Sequence, residues 1–235
     1  MKSAGGDRHD KVIDMTKRTK RYLAWPLAIV LLLAAILFCR WALKEAFAPA
    51  PSGDEWNLIL VNAEHHLPRD YEVELTLLDN GEQVDSRIYP DLQAMFEQAR
   101  WEGLDLFVAS GYRTWEEQQQ LLDEKTAEYR EEGHSNAEAK RLARQWVAEP
   151  GASEHQLGIA VDINADADWS SSEEVYAWLE ENSYKYGFIN RYPADKTAVT
   201  GIINEPWHYR YVGYEAALEM YSRGLCLEEY LQERD

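Results

Sequence analysis

An unbroken apolar run divides this chain into two unlike parts. Residues 22–39 read YLAWPLAIVLLLAAILFC, with no charged side chain across 18 positions. As a helix rising about 1.5 Å per residue, it would cover roughly 27 Å, close to the hydrocarbon thickness of a bilayer. Trp25 and Trp41 stand near its two ends, where aromatic rings favour the interface, and Arg40 and Lys44 can extend their charges outward. Lys11, Lys17, Arg18, Lys20 and Arg21 precede it, a basic cluster of the kind retained on the cytoplasmic side. The run therefore predicts a single N-terminal transmembrane helix over 22–43, behind a basic cytoplasmic tail over 1–21. The competing reading is a cleaved signal peptide, because Ala46-Phe47-Ala48 has small-x-small spacing. Against it, Pro49 would come directly after the cut, and the apolar run is longer than a usual signal core. Both readings export the remainder of the chain. Residues 44–56, with AFAPAPSGD at 46–54, predict a flexible linker, leaving 57–235 as one globular domain.

Charge narrows the partners. The chain carries a formal net charge of -18, unevenly spread. Residues 1–48 hold nine Lys/Arg against four Asp/Glu, so residues 49–235 hold 15 against 38, a net of -23. A surface this acidic repels phosphate backbones and excludes nucleic acid as a partner. The two cysteines, Cys39 in the apolar run and Cys226 near the C-terminus, predict no disulfide between them.

Periodicity gives a coarse architecture. Leu58–Val61 reads as a short strand. Val73, Leu75 and Leu77 alternate with Glu72, Glu74 and Thr76, Asn80-Gly81 signals a hairpin turn, and Gln83–Tyr89 would pair back. Leu92, Met95, Phe96 and Ala99 mark one face of a helix over 91–101, and Leu104–Ala109 reads as a buried strand. Helices are predicted over 114–131, from Ser135 or Asn136 through Val147, over 172–182 and over 214–223. In the segment from Gly158 to Ile163, Ile159, Val161 and Ile163 alternate with smaller residues, so a strand there turns Asp162 to the face opposite the bulky side chains. Trp207–Val212 is a further strand. Helices and strands mix without a βαβ repeat, which predicts an α+β domain with a small antiparallel sheet flanked by helices.

Of the six histidines, His9, His65, His66 and His134 lie in polar surroundings and read as solvated or structural. His155 and His208 differ. His155 sits in PGASEHQLGIAVD, seven residues before Asp162, and His208 ends Asn204-Glu205-Pro206-Trp207-His208. Two imidazoles and one carboxylate suffice for a catalytic zinc with its fourth position open, and such an ion lowers the pKa of bound water to about 7. Glu205 is the natural base for that water. On spacing alone the alternative stands beside it: a hydrogen-bonded histidine, a surface aspartate and a salt-bridged glutamate.

The longer pattern is more specific. Ser153-x-His155-x-x-Gly158-x-Ala160-x-Asp162, followed by Glu205-x-x-His208, resembles the VanY-type D-alanyl-D-alanine carboxypeptidases, a family of zinc peptidases. Ser110-Gly111-Tyr112-Arg113 with Gln118, Lys185-Tyr186-Gly187-Phe188 leading to Arg191-Tyr192-Pro193, and Thr200-Gly201-Ile202 before the Glu205 segment are similar to that family too. The resemblance spans about Leu58 to Leu231, with no departure at a metal or base position. It implies a zinc site in a cleft, with His155, Asp162 and His208 binding Zn2+. By the same resemblance Glu205 activates the water and passes its proton to the departing amine, and Arg113 stabilises the oxyanion. Ser153 and Gln118 would hold the substrate's terminal carboxylate or nearby amides, with Tyr112 lining the substrate site. Trp207 either walls the pocket or belongs to the core. The implied substrate is the peptide stem of peptidoglycan, trimmed of its C-terminal D-alanine outside the cytoplasmic membrane. Two alternatives stay open: an LD-carboxypeptidase acting on tetrapeptide stems, and a non-catalytic peptidoglycan-binding module.

Overall fold

The computed structural model describes residues 55–234. The tail, the transmembrane helix and nearly all of the linker expected from the sequence lie outside these residues. Among the described residues no helix is long and apolar enough to cross a membrane.

The domain is α+β. Strands β1 (Leu75–Leu77) and β2 (Gln83–Asp85) form the expected hairpin, paired antiparallel with Thr76 opposite Val84. Gly81 takes the turn at φ +94°, and the Asn80 side chain donates to the Val108 carbonyl at 2.7 Å, tying the hairpin to the main sheet. That sheet has four strands: β3 (Leu106–Ser110), β4 (Ala160–Ala165), β5 (Phe188–Asn190) and β6 (His208–Tyr211). Their spatial order is β3-β4-β6-β5 and every pairing is antiparallel.

Alternation along β4 and β6 decides what each face of the sheet does. Val161 and Ile163 of β4 and Tyr209 of β6 point into one core, with α1 (Tyr89–Trp101) and α4 (Ser172–Asn182) packed on them through Leu92, Met95, Phe96, Val175 and Leu179. Side chains on adjacent strand positions face opposite ways. Asp162 and His208 therefore project from the other face, and the β4–β6 register sets them directly opposite each other. Full burial of one Leu or Ile side chain contributes about 1.5–3 kcal/mol, so the packed face holds the strand register that pairs the two polar residues.

Helices α2 (Trp115–Glu131) and α3 (Asn136–Ala143) form a hairpin beside that polar face. Thr114 and Glu117 make a capping box at the start of α2, and Ser135 caps α3. Helix α3 ends at Ala143 rather than Val147, and the chain turns so that Ala148 accepts a bond from Gln118. A four-residue helix α5 (Thr197–Thr200) precedes β6. Helices α6 (Tyr214–Arg223) and α7 (Leu227–Gln232) close the fold on a second core around Val212, Ala217, Met220 and Leu227.

Leu58–Val61, expected as a strand, forms none. Trp56–Leu58 is a 3-10 turn, and the Arg210 guanidinium donates to the carbonyls of Asn57 and Ile59. With those acceptors taken by a side chain, the segment runs beside the core without joining a ladder. Tyr89, expected at the end of a strand, begins α1.

Candidate metal centre

Two turns and one strand pair assemble the site. The chain enters β4 through a 3-10 turn, Glu154–Leu157, that ends on Gly158 at φ +73°. A β-carbon at Gly158 would lie 3.1 Å from the Asp85 backbone nitrogen, which donates to the Gly158 carbonyl at 2.8 Å. Glycine is needed there for both the left-handed backbone and the close approach. The turn buries His155 and directs it beneath the β4–β6 pair.

His155, Asp162 and His208 come together, with one ligand atom from each lying within 4.8 Å of the others. His155 Nδ1 is 2.7 Å from the Gly111 carbonyl, a bond that puts the proton on Nδ1 and leaves Nε2 free. That Nε2 faces Asp162 Oδ1 at 3.4 Å, and His208 Nδ1 lies 2.9 Å from the same oxygen. The imidazole rings meet edge to face with centroids 4.9 Å apart.

The electrostatics fit a cation between these groups. Burial opposes ionisation of Asp162, yet the two imidazoles hold its carboxyl well below the usual carboxylate range. Burial also opposes a charge on His208, but its bond to Asp162 and the nearby Glu154 carboxylate push it up to about 9. His155 moves the other way, lowered by burial and by the nearby Arg113 cation. Two nitrogen donors and one oxygen donor, all buried or nearly so and converging on one point, form the three-residue set that suits catalytic zinc. This is the only such group among the described residues.

The group lies at the foot of a cleft of about 310 Å³. Glu205 lines it, with Oε2 3.9 Å from His208 Nδ1, and burial raises its carboxyl above the ordinary glutamate value. Arg113 is pinned at three points: Nε donates to Ser110 Oγ at 2.9 Å, Nη2 to Asp162 Oδ2 at 2.9 Å, and Nη1 approaches Gln118 Oε1 at 3.4 Å. Ser153, Gln118 and Trp207 all line the cleft. Gln118 is 1% exposed, not the solvated helix residue its neighbours suggest, and it is partly committed through its bond to the Ala148 carbonyl. Trp207 is half-buried and forms part of the wall.

Tyr112 does not line the cleft. Its backbone N–H donates to the Gln83 carbonyl while its neighbour Arg113 takes the inward position. Burial, with Glu117 and Glu116 nearby, raises the Tyr112 phenol. Several cleft residues had no role assigned from the sequence, although Tyr192 stands in one of its family-like stretches. Leu121, Lys125 and Trp146 form the outer wall on the α2–α3 side, and the ring of Tyr192 lies tilted over His208 at 5.0 Å. Glu154, Arg191 and Arg210 form a fully buried ionic cluster behind His208. A charge inside a short, otherwise aromatic strand, as at Arg210 on the same face as His208, was the available hint of a buried partner.

Comparison with known proteins identifies the family. The family described as VanY, D-alanyl-D-alanine carboxypeptidase, matches residues 81–214. A D-alanyl-D-alanine carboxypeptidase of Enterococcus faecalis (strain ATCC 700802 / V583) is 61% identical over 177 residues, covering 75% of this chain and 66% of the relative. The chain thus spans about two thirds of that relative's length. A solved structure of VanYB in complex with D-alanine-D-alanine superposes with a TM-score of 0.75 at 60% identity, covering 77% of this chain and all of that one. A vancomycin-resistance D,D-pentapeptidase VanY variant in complex with Zn(II) gives a TM-score of 0.74 at 61% identity, over 75% of this chain and 99% of that one.

Proposed function

This chain belongs to the VanY family of D-alanyl-D-alanine carboxypeptidases, and from that premise we propose that it is a zinc carboxypeptidase removing the C-terminal D-alanine from peptidoglycan stem peptides. The observation that carries the reading is the convergence of His155, Asp162 and His208 at the foot of a cleft that also presents Glu205 and Arg113. Those three residues would hold the ion, which when bound supplies Lewis acidity and makes water a better nucleophile at neutral pH.

The chain's own groups do the rest. Glu205 takes a proton from the attacking water and returns it to the departing amine, a role its half-desolvated position favours; such acid–base help contributes about 10²–10⁴-fold. Arg113, its fork held by Ser110, Gln118 and Asp162, supplies a fixed cation for the oxyanion growing on the scissile carbonyl. The Ser153 hydroxyl and the Gln118 amide bind the terminal carboxylate, and Trp207 closes one wall of the pocket. The bond from Gln118 to the Ala148 carbonyl ties α2 to the segment that follows α3. The close likeness to the VanYB complex with D-alanine-D-alanine favours the D,D-bond over the L,D-bond of a tetrapeptide stem.

The uncharged run at 22–39 and its basic flank support an enzyme anchored in the cytoplasmic membrane with the catalytic domain outside. Protease accessibility of the domain on intact spheroplasts tests that placement, and a domain protected until lysis contradicts it.

The function is tested with purified chain and synthetic stems. Pentapeptide should lose one alanine while tetrapeptide stays intact, and Glu205→Ala should abolish the loss while still binding zinc. Release of a dipeptide, preferential trimming of tetrapeptide, or full cleavage by the Glu205→Ala variant would each overturn the assignment.

A further inference from the structure

The ionic cluster behind His208 is fully buried. Glu154, Arg191 and Arg210 are all 0–1% exposed. Glu154 Oε1 is 2.7 Å from Arg191 Nε and 2.9 Å from Arg210 Nη1. The far edge of Arg191 is doubly bonded to Glu228 of α7, at 2.9 and 2.6 Å. Arg210 spends its remaining donors on the carbonyls of Tyr211, Asn57 and Ile59. Replacing a buried ionic cluster with packed apolar side chains is often neutral or stabilising, so the cluster's presence calls for another reason.

The unbonded atoms supply one. Glu154 Oε2 and His208 Nε2 are both buried without a hydrogen-bond partner, and they face each other at 3.6 Å. The two arginines fix the carboxylate through its other oxygen and leave Oε2 directed at the back of the imidazole. His208 presents Nδ1 to Asp162 on the opposite side of its ring. His155 differs, because a neutral backbone carbonyl, that of Gly111, backs its ring.

We infer that Glu154 is a positioning residue for the metal centre: it accepts the Nε2 proton of His208, locks the tautomer that offers Nδ1 to the ion, and is itself held by Arg191 and Arg210. The inference rests on the zinc reading above and adds a residue to it. Carboxylate partners of this kind orient a ligating histidine and raise its basicity, and their loss typically weakens metal binding about 10–100-fold.

The test compares zinc affinity, by competition with a chromophoric chelator, in the full-length parent, Glu154→Gln and Glu228→Gln, with circular dichroism reporting the fold. Glu228→Gln removes the same charge from the same arginine cluster without touching His208. Glu154→Gln should bind zinc about 10–100-fold more weakly, while Glu228→Gln stays within about threefold of the parent. Zinc binding as tight as the parent's in Glu154→Gln, or equal weakening in both variants, overturns the inference. If Glu154→Gln does not fold, histidine nitrogen NMR of the zinc-loaded parent decides. A slowly exchanging proton on His208 Nε2 with the shift of a carboxylate-bonded donor supports it; a proton on Nδ1, or one exchanging at solvent rates, overturns it. A parent that binds no zinc refutes the metal reading itself, and this inference with it.

Discussion

Gly111 joins the fold to the site, and Gly111→Ala should damage both. A β-carbon at this position would lie 2.2 Å from the Gln83 carbonyl oxygen and 3.1 Å from its carbon. The obstruction is backbone, so no side-chain rotation relieves it. Gly111 must move away from β2, which strains the bond from the Tyr112 N–H to Gln83 and the 2.7 Å bond from the Gly111 N–H to Glu82. Overpacking costs about 1–3 kcal/mol, and each weakened hydrogen bond adds about 1 kcal/mol. The lower unfolded-state entropy of alanine returns only about 0.5 kcal/mol. A net loss of about 3 kcal/mol in a domain of this size lowers the melting temperature by about 6–12 °C. The same shift carries the Gly111 carbonyl away from His155 Nδ1, so zinc affinity should fall as well. Calorimetry with and without zinc reads both effects. Gly133→Ala is the control: its φ is +97°, but a β-carbon there meets nothing within 4 Å, so it should cost about 1–2 kcal/mol of backbone strain and leave zinc binding unchanged. A Gly111→Ala protein that melts within about 2 °C of the parent and binds zinc normally would refute this reasoning.

Arg113→Lys replaces a three-point fork with a single flexible ammonium; kcat should drop about 10²–10³-fold with a smaller change in KM, and loss confined to KM would show that Arg113 serves substrate binding alone. Cys226 is 2% exposed, and burial pushes its thiol up to about 11, so at neutral pH the folded chain should leave it unmodified by thiol reagents, as peptide mapping would reveal. Modification of Cys226 before unfolding would contradict that packing.

Much of the site is legible in the sequence because its chemistry sits in short, ordered segments. The alternation at Val161 and Ile163 places Asp162 on the polar face, and the β4–β6 register then sets His208 opposite it. The helix over 172–182 keeps the bounds that the pattern predicts, whereas the one capped by Ser135 starts as expected and stops four residues early. What local pattern lacks is partnership. Phe188–Asn190 is too short to announce itself as a strand and gains that status only by pairing with β6. Leu58–Val61 has a strand's apolar run, but a guanidinium takes its carbonyl at Ile59. Glu154 looks like a surface charge between two motif residues, because its two arginine partners come from 37 and 56 positions further along the chain.

The convergence of three side chains on one ion is tested most directly by zinc-edge X-ray absorption of the purified chain, paired with elemental analysis. A single zinc per chain is expected, with only nitrogen and oxygen ligands and the scattering of two imidazoles. It should be lost when His155, Asp162 or His208 is changed to alanine. Sulphur in the ligand shell, or zinc retained at full occupancy after all three are replaced, would contradict it.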